Sequence, residues 1–173
     1  RDTDRSRGLG DVYKRQNKSA AAKYSTLMQK EGGFNKQYEA LICGKLSEPK
    51  GTFVDYLKKD GRTNTSAIVP ADAAANDKDA KLSKLEYEVI SYDEVKDITH
   101  VRIHLITGRH HQIRVQFASR RHPLVGDYKY ATADCGMDNA VKAVALKRNQ
   151  IALCAVSLTV DNKTYSVAPE FLL

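Results

Sequence analysis

The apolar residues of this chain fall in short alternating runs separated by polar turns, a spacing that belongs to strands rather than long helices. In KQYEALICGKL, Tyr38, Ala40 and Ile42 share one face, and Glu39, Leu41 and Cys43 the other. KLEYEVISY sets Leu85, Tyr87 and Val89 against Glu86, Glu88 and Ile90, and THVRIHLI sets Val101, Ile103 and Leu105 against Arg102 and His104. The polar turn DEVKD between these two runs predicts an antiparallel hairpin. GTFVDYLKKD holds a short amphipathic piece, Asp60-Gly61 a turn, and Ser66–Val69 a short strand. Further strands are expected in QIALCAVSLTV and TYSVAPEF, joined by the turn DNK.

Helical spacing is rarer. NKSAAAKYSTLMQK, Asn17 to Lys30, is rich in strong helix formers, with Ala21, Tyr24 and Leu27 placed to face a core and Gly32-Gly33 as the stop. Thr107-Gly108 breaks the strand period, and RHHQIRVQFASRR predicts a helix on which Ile113 and Phe117 form an i, i+4 pair. A weaker helix is expected over Asn139–Leu146. HPLVGDYKYA reads as a loop around Pro123 and Gly126, and residues 70–80 as a polar loop without a functional role. The fold class expected is α+β, a mixed, mainly antiparallel sheet with interspersed helices.

Residues 1–16 follow neither period, and their DVYKRQ resembles the translation of a sequencing-library adapter. They are read as a non-native or disordered segment, and residues 17–173 as one domain.

With 173 residues the chain has the length of one domain. A net charge of +7 adds something the pattern does not, because a basic surface attracts a polyanion. No run is long and apolar enough for a membrane span, and nothing reads as a signal peptide. Cys43, Cys135 and Cys154 are scattered and lack ligand spacing, which argues against a disulfide framework or a zinc site. A reducing, cytoplasmic setting is expected.

Candidate chemistry concentrates between Ile98 and Gly126. This stretch carries Arg102, Arg109, Arg114, Arg120, Arg121 and all five histidines, without one Asp or Glu. Such a run predicts a concentrated cationic patch of the kind that meets phosphates. Gly108 suggests a tight strand-to-helix turn placing Arg109 and His110 at a helix start. Arg102, Arg120 and Arg121 read as plain surface charge. Arg114, flanked by Ile113 and Val115, is expected to be less exposed, and a buried arginine calls for a buried acid beside it. A metal site built from His104, His110 and His111 is disfavoured by the neighbouring arginines.

TGRHHQIRVQFASRRHPLVGDYKY resembles the signature of the RluA-type pseudouridine synthases, TGR-x-HQIR followed by a short helix and a P-[IL]-x-GD-x-x-Y loop. KSAAAKYSTLM, KQYEALICGKL, VDYLKKDGRTNTSAIV, KLEYEVI, IALCAVSL and TYSVAPEFL match the same pattern in the same order, so the resemblance covers nearly all of residues 17–173.

The resemblance implies a pseudouridine-synthase-like catalytic domain, incomplete at its N-terminus, that turns uridine in structured RNA into pseudouridine. An aspartate breaks the C1′–N1 bond and the uracil reattaches through C5. A carboxylate suits that step because it stabilises or traps an electron-poor anomeric carbon. It also implies that Arg114 pairs with that aspartate, and that Tyr38 stacks on the uracil and handles the C5 proton. Arg109, His110 and His111 would contact RNA. The family's HRLD motif is absent. Asp4 falls at the nucleophile's spacing ahead of the NKSAAA helix, but follows Arg1, Asp2 and Thr3. The expected substrate is ribosomal or transfer RNA, with no metal or organic cofactor, no membrane and no obligate protein partner, in a monomer. The competing readings are an inactive RNA-binding remnant of the same fold and a metal-dependent nuclease.

Overall fold

The computed structural model describes residues 35–160, 163–169 and 171. The helix expected over residues 17–30, Asp4 and the turn DNK at 161–163 lie wholly or partly outside the described residues.

Period-2 alternation becomes one antiparallel sheet. Its strands are β1 (Asn35–Cys43), β2 (Lys50–Asp60), β3 (Thr65–Val69), β4 (Lys81–Asp93), β5 (Ile98–Leu105), β6 (Leu153–Val160) and β7 (Lys163–Ser166). The spatial order is β3-β2-β4-β5-β1-β6-β7, and every pairing among the described residues is antiparallel. The expected hairpin is β4–β5, with Leu85 opposite Leu105 and Val89 opposite Val101. A bulge between Val89 and Ser91 ends the alternation there and leaves Ile90 on the exposed side.

The helices are short: α1 (Ala71–Ala74), α2 (Gln112–Ala118) and α3 (Met137–Ala143). The 70–80 segment is therefore not all loop. Pro70 opens one helical turn that buries Ala74, and Asp77 ties it back to β2 through an ion pair with Lys58 at 2.7 Å. The weaker helix begins at Met137 rather than Asn139, because Gly136 turns into it with a positive φ of 64°.

β1 is an interior strand, and its second half, Ala40 to Cys43, is buried on both faces. Ala40 and Ile42 join Phe53, Leu85, Tyr87, Val101, Ile103, Ile113, Phe117 and Leu124 in one buried cluster. Leu41 and Cys43 join Ile98, Val125, Met137, Ala140, Ala152 and Phe171 in a second on the other face. α2 presses Phe117 edge-on against Phe53 and Tyr87, with ring centroids 5.0 and 5.9 Å away. The i, i+4 pair read from the sequence is thus the core-facing edge of this helix.

Candidate functional site

The helix α2 is shorter than the RHHQIRVQFASRR pattern suggested, and both ends have a physical cause. At its start, the buried Gln112 side chain ties the turn together. Its Oε1 accepts from Thr107 Oγ1 (3.0 Å) and from the Arg109 backbone N–H (2.9 Å), and its Nε2 donates to the Lys84 carbonyl (3.1 Å). The residue that adopts the left-handed conformation is His111, with φ 52°, and not Gly108. At the other end, Arg121 takes φ 65°, while His122 N–H bonds to the Phe117 carbonyl and Arg121 N–H to that of Ala118. This is a Schellman closure, with Pro123 following.

Those two ends set Arg114 one turn into the helix, with its side chain 16% exposed, facing Asp127 at 1%. Arg114 Nε donates to Asp127 Oδ2 and Nη2 to Oδ1, each at 2.7 Å. The acid expected beside a buried arginine is therefore Asp127, the first residue after the acid-free run. Its loop is clamped from both sides: Val125 N–H bonds to the Leu41 carbonyl and Ala152 N–H to that of Val125, both at 2.9 Å. Gly126 makes the turn possible, since φ is +87° and a Cβ there would stand 2.1 Å from the Gln150 carbonyl oxygen.

Around this pair lies a polar network. Arg114 Nη1 donates to His111 Nε2 (3.0 Å), and His111 Nδ1 is 2.8 Å from the Tyr130 hydroxyl. The guanidinium lies over the Tyr130 ring at 4.9 Å. The same hydroxyl accepts from Ser66 N–H (2.8 Å), an outward-facing group of the edge strand β3. His110 stacks on His111 with centroids 3.8 Å apart, and its Nδ1 meets Ser66 Oγ at 2.9 Å. Burial first, then the Arg114 charge, lowers the His111 pKa to about 4. Burial and the charges of Lys59, Arg114 and Lys129 lower that of His110 as well.

Of the residues singled out from the sequence, His110, His111 and Arg114 come together. Arg109 sits at the same turn but reaches sideways, its Nε donating to the Leu82 carbonyl at 3.0 Å. Tyr38 lies on the core-facing side of β1, next to a bulge between Gln37 and Tyr38, and packs half-buried against the cluster that contains Ile113. Burial raises its phenol pKa. A bulge of this kind re-aims a strand side chain. Among the described residues no three His, Cys, Asp or Glu side chains are grouped to hold a metal ion.

The concentrated cationic patch needs correction. The fold brings an acid to three of the five arginines, Arg102, Arg114 and Arg120, and strand register accounts for the first. Glu39 lies opposite Arg102 and bonds both Arg102 (3.0 Å) and His100 (3.1 Å). Glu86 lies opposite His104 at 3.6 Å. Arg120 is no plain surface charge. It forks onto Asp55 at 3.0 and 3.1 Å and lies over the Phe53 ring at 4.0 Å. Sequence reasoning gave no role to Asp127, Tyr130 or Ser66. The first two stand in the GD-x-x-Y loop, whose regular spacing was the available signal, whereas Ser66 had none.

A family model described as RNA pseudouridylate synthase matches residues 16–119, more than half of the chain. The chain is 36% identical over 95 residues to the ribosomal large subunit pseudouridine synthase D of Blochmanniella floridana, covering 55% of this chain and 27% of that protein. It is 30% identical over 139 residues to the enzyme of the same name from Vibrio vulnificus, covering 79% and 40%. The structure of human RNA Pseudouridylate Synthase Domain Containing 1 superposes with a TM-score of 0.65 at 23% identity, over 90% of this chain and 62% of that one. That likeness defines the fold, an antiparallel sheet of the pseudouridylate synthase domain class. The chain belongs to the RNA pseudouridylate synthase family, and its motifs are those of the RluA type. It spans less than half the length of these two curated relatives.

Proposed function

We propose that this domain isomerises uridine to pseudouridine in structured RNA, ribosomal or transfer, as a cytoplasmic monomer that uses no metal or organic cofactor. The observation that carries the proposal is the unfinished coordination of Arg114. Two of its five N–H groups go to Asp127 and one to His111. Among the described residues, one N–H on Nη1 and one on Nη2 have no acceptor. A guanidinium already fixed from one side can hold a second carboxylate there without reorganising, which is how a nucleophilic aspartate is kept ionised and aimed. Asp4 is the acid at the family's spacing for that role.

Tyr38 then supplies the ring on which the uracil stacks once the nucleotide has left its helix, and its hydroxyl handles the C5 proton. Its raised pKa, caused by burial, keeps the phenol protonated at neutral pH. Arg109 and His110 stand at the turn leading into α2 as RNA contacts, with His111 behind them. Among the described residues Cys43, Cys135 and Cys154 form no disulfide with one another, which suits a reducing compartment.

The test is tritium release from RNA labelled at uridine C5, run on this chain and on Asp4→Asn. Release by the first and not the second assigns Asp4 as the nucleophile. No release from either, with RNA still bound, overturns the isomerase reading for this chain.

A further inference from the structure

His111 and Tyr130 hold a hydrogen bond whose direction the surroundings force. Arginine has no acceptor, so the 3.0 Å contact from Arg114 Nη1 makes His111 Nε2 the bare nitrogen. The proton of a neutral His111 is then on Nδ1, and it points at the Tyr130 oxygen 2.8 Å away. The Ser66 backbone N–H arrives at that oxygen from the other side, also at 2.8 Å. The phenol oxygen therefore accepts twice. Its own hydrogen cannot turn back into the network, because both neighbours are donors, and among the described residues no acceptor receives it.

The charges around the stacked imidazoles beside this hydroxyl are mostly of one sign. Arg114 has two uncommitted N–H groups, and Lys129, next to Tyr130 in the chain, sets its ammonium 3.2 Å from the carbonyls of Thr63 and Asn64. Lys59 also bears on the His110 ring, and Asp127, the acid within reach, is already forked onto Arg114. With the free edge of Arg114 kept for the nucleophile, the hydroxyl and the Lys129 ammonium remain as donors that fit an anionic oxygen.

We infer that His111 is a positioning residue, held as the neutral Nδ1–H tautomer between Arg114 and Tyr130, and that it aims the Tyr130 hydroxyl hydrogen at a phosphate oxygen of bound RNA. The inference rests on the RNA reading of this domain and adds to it a specific donor that the motif resemblance left without a role. Burial and the Arg114 charge hold the His111 pKa at about 4, and burial raises that of Tyr130, so the direction of the bond persists across the neutral range.

Two measurements on the full chain test it. Nitrogen-15 NMR of the histidine side chains is expected to show one imidazole with a protonated Nδ1 that does not titrate between roughly pH 5 and 8, assigned to His111 by its loss in His111→Asn. A His111 that titrates normally, or carries its proton on Nε2, overturns the inference. Binding of a uridine-containing RNA stem-loop is then compared across salt concentrations. Tyr130→Phe is expected to weaken binding about tenfold without changing the slope against salt, since a neutral donor releases no counterion. Lys129→Gln should reduce that slope by roughly one counterion. Binding by Tyr130→Phe equal to wild type overturns this inference alone, and no RNA binding by wild type overturns it together with the RNA reading. The tenfold loss without tritium release by wild type supports the inference and removes the isomerase reading.

Discussion

Arg114 Nε and Nη2 each lie 2.7 Å from an oxygen of Asp127, so a helix and a loop meet through one planar, two-bond contact. With so little of either side chain exposed, removing one partner strands a buried charge. Asp127→Ala is expected to lower unfolding free energy by about 3 kcal/mol. Asp127→Asn, which keeps one acceptor, should cost less. Arg114→Lys should lose the fork although it keeps the charge. Urea unfolding of the three variants measures the order, and equal stability throughout would deny the pair a structural role.

Gly126 is the residue that lets Asp127 reach Arg114. A side chain there meets the Gln150 backbone as well as an unfavourable φ. Gly126→Ala is expected to cost on the order of 3 kcal/mol, measurable by thermal unfolding. Gly108→Ala is the contrast. Gly108 is not among the positive-φ residues, and the nearest atom a Cβ would meet there is Lys36 Nζ at 4.0 Å, so little change is expected.

The two stacked imidazoles give stability a pH dependence with a definite sign. His111, with a folded pKa of about 4, lies below its ordinary 6.5, and His110 is lowered in the same direction. Between these values the unfolded chain binds more protons than the folded one, so stability rises with pH. It is fully present above 6.5 and is lost as pH falls toward 4. His111→Asn should flatten the curve of unfolding free energy between those limits. An unchanged slope would mean that His111 titrates alike in both states.

Tyr38 separates core packing from chemistry. Tyr38→Phe keeps the ring against the cluster that contains Ile113 and removes the hydroxyl. Under the proposed function it should slow C5 tritium release by about a hundredfold, the low end of what a positioned proton-transfer group contributes. RNA affinity and the unfolding midpoint should stay near wild type. A release rate within a factor of about two would leave Tyr38 as a packing and stacking residue, since general acid–base groups matter by far more.

Most of the strands were legible in the sequence because alternation is a local property, whereas β2, read only as a short amphipathic piece, runs over Lys50–Asp60. Leu85, Tyr87 and Val89 carry their pattern whatever lies across from them. The helix α2 was legible in type but not in extent. Its start depends on Gln112 reaching Lys84, 28 positions away, and its end on Arg121 adopting a left-handed turn that glycine usually fills. Tyr130 stood in view within a matched motif, but its partner Ser66, 64 positions earlier, is brought to it only by the fold.

By itself the sequence determined the α+β class, the alternating faces of the strand at KQYEALICGKL, the family motifs, and the need of Arg114 for a buried acid. Each of these follows from spacing along the chain or from the cost of burying a charge. Only the tertiary structure decided which charges remain available. An acid-free run in sequence is not acid-free in space, since β1 and β4 set Glu39 and Glu86 opposite Arg102 and His104. Tertiary structure alone also fixed the His111 tautomer, because a proton's position depends on the groups facing both ring nitrogens. Those groups, Arg114 and Tyr130, come from a helix and a loop that meet only when the sheet beneath them has formed.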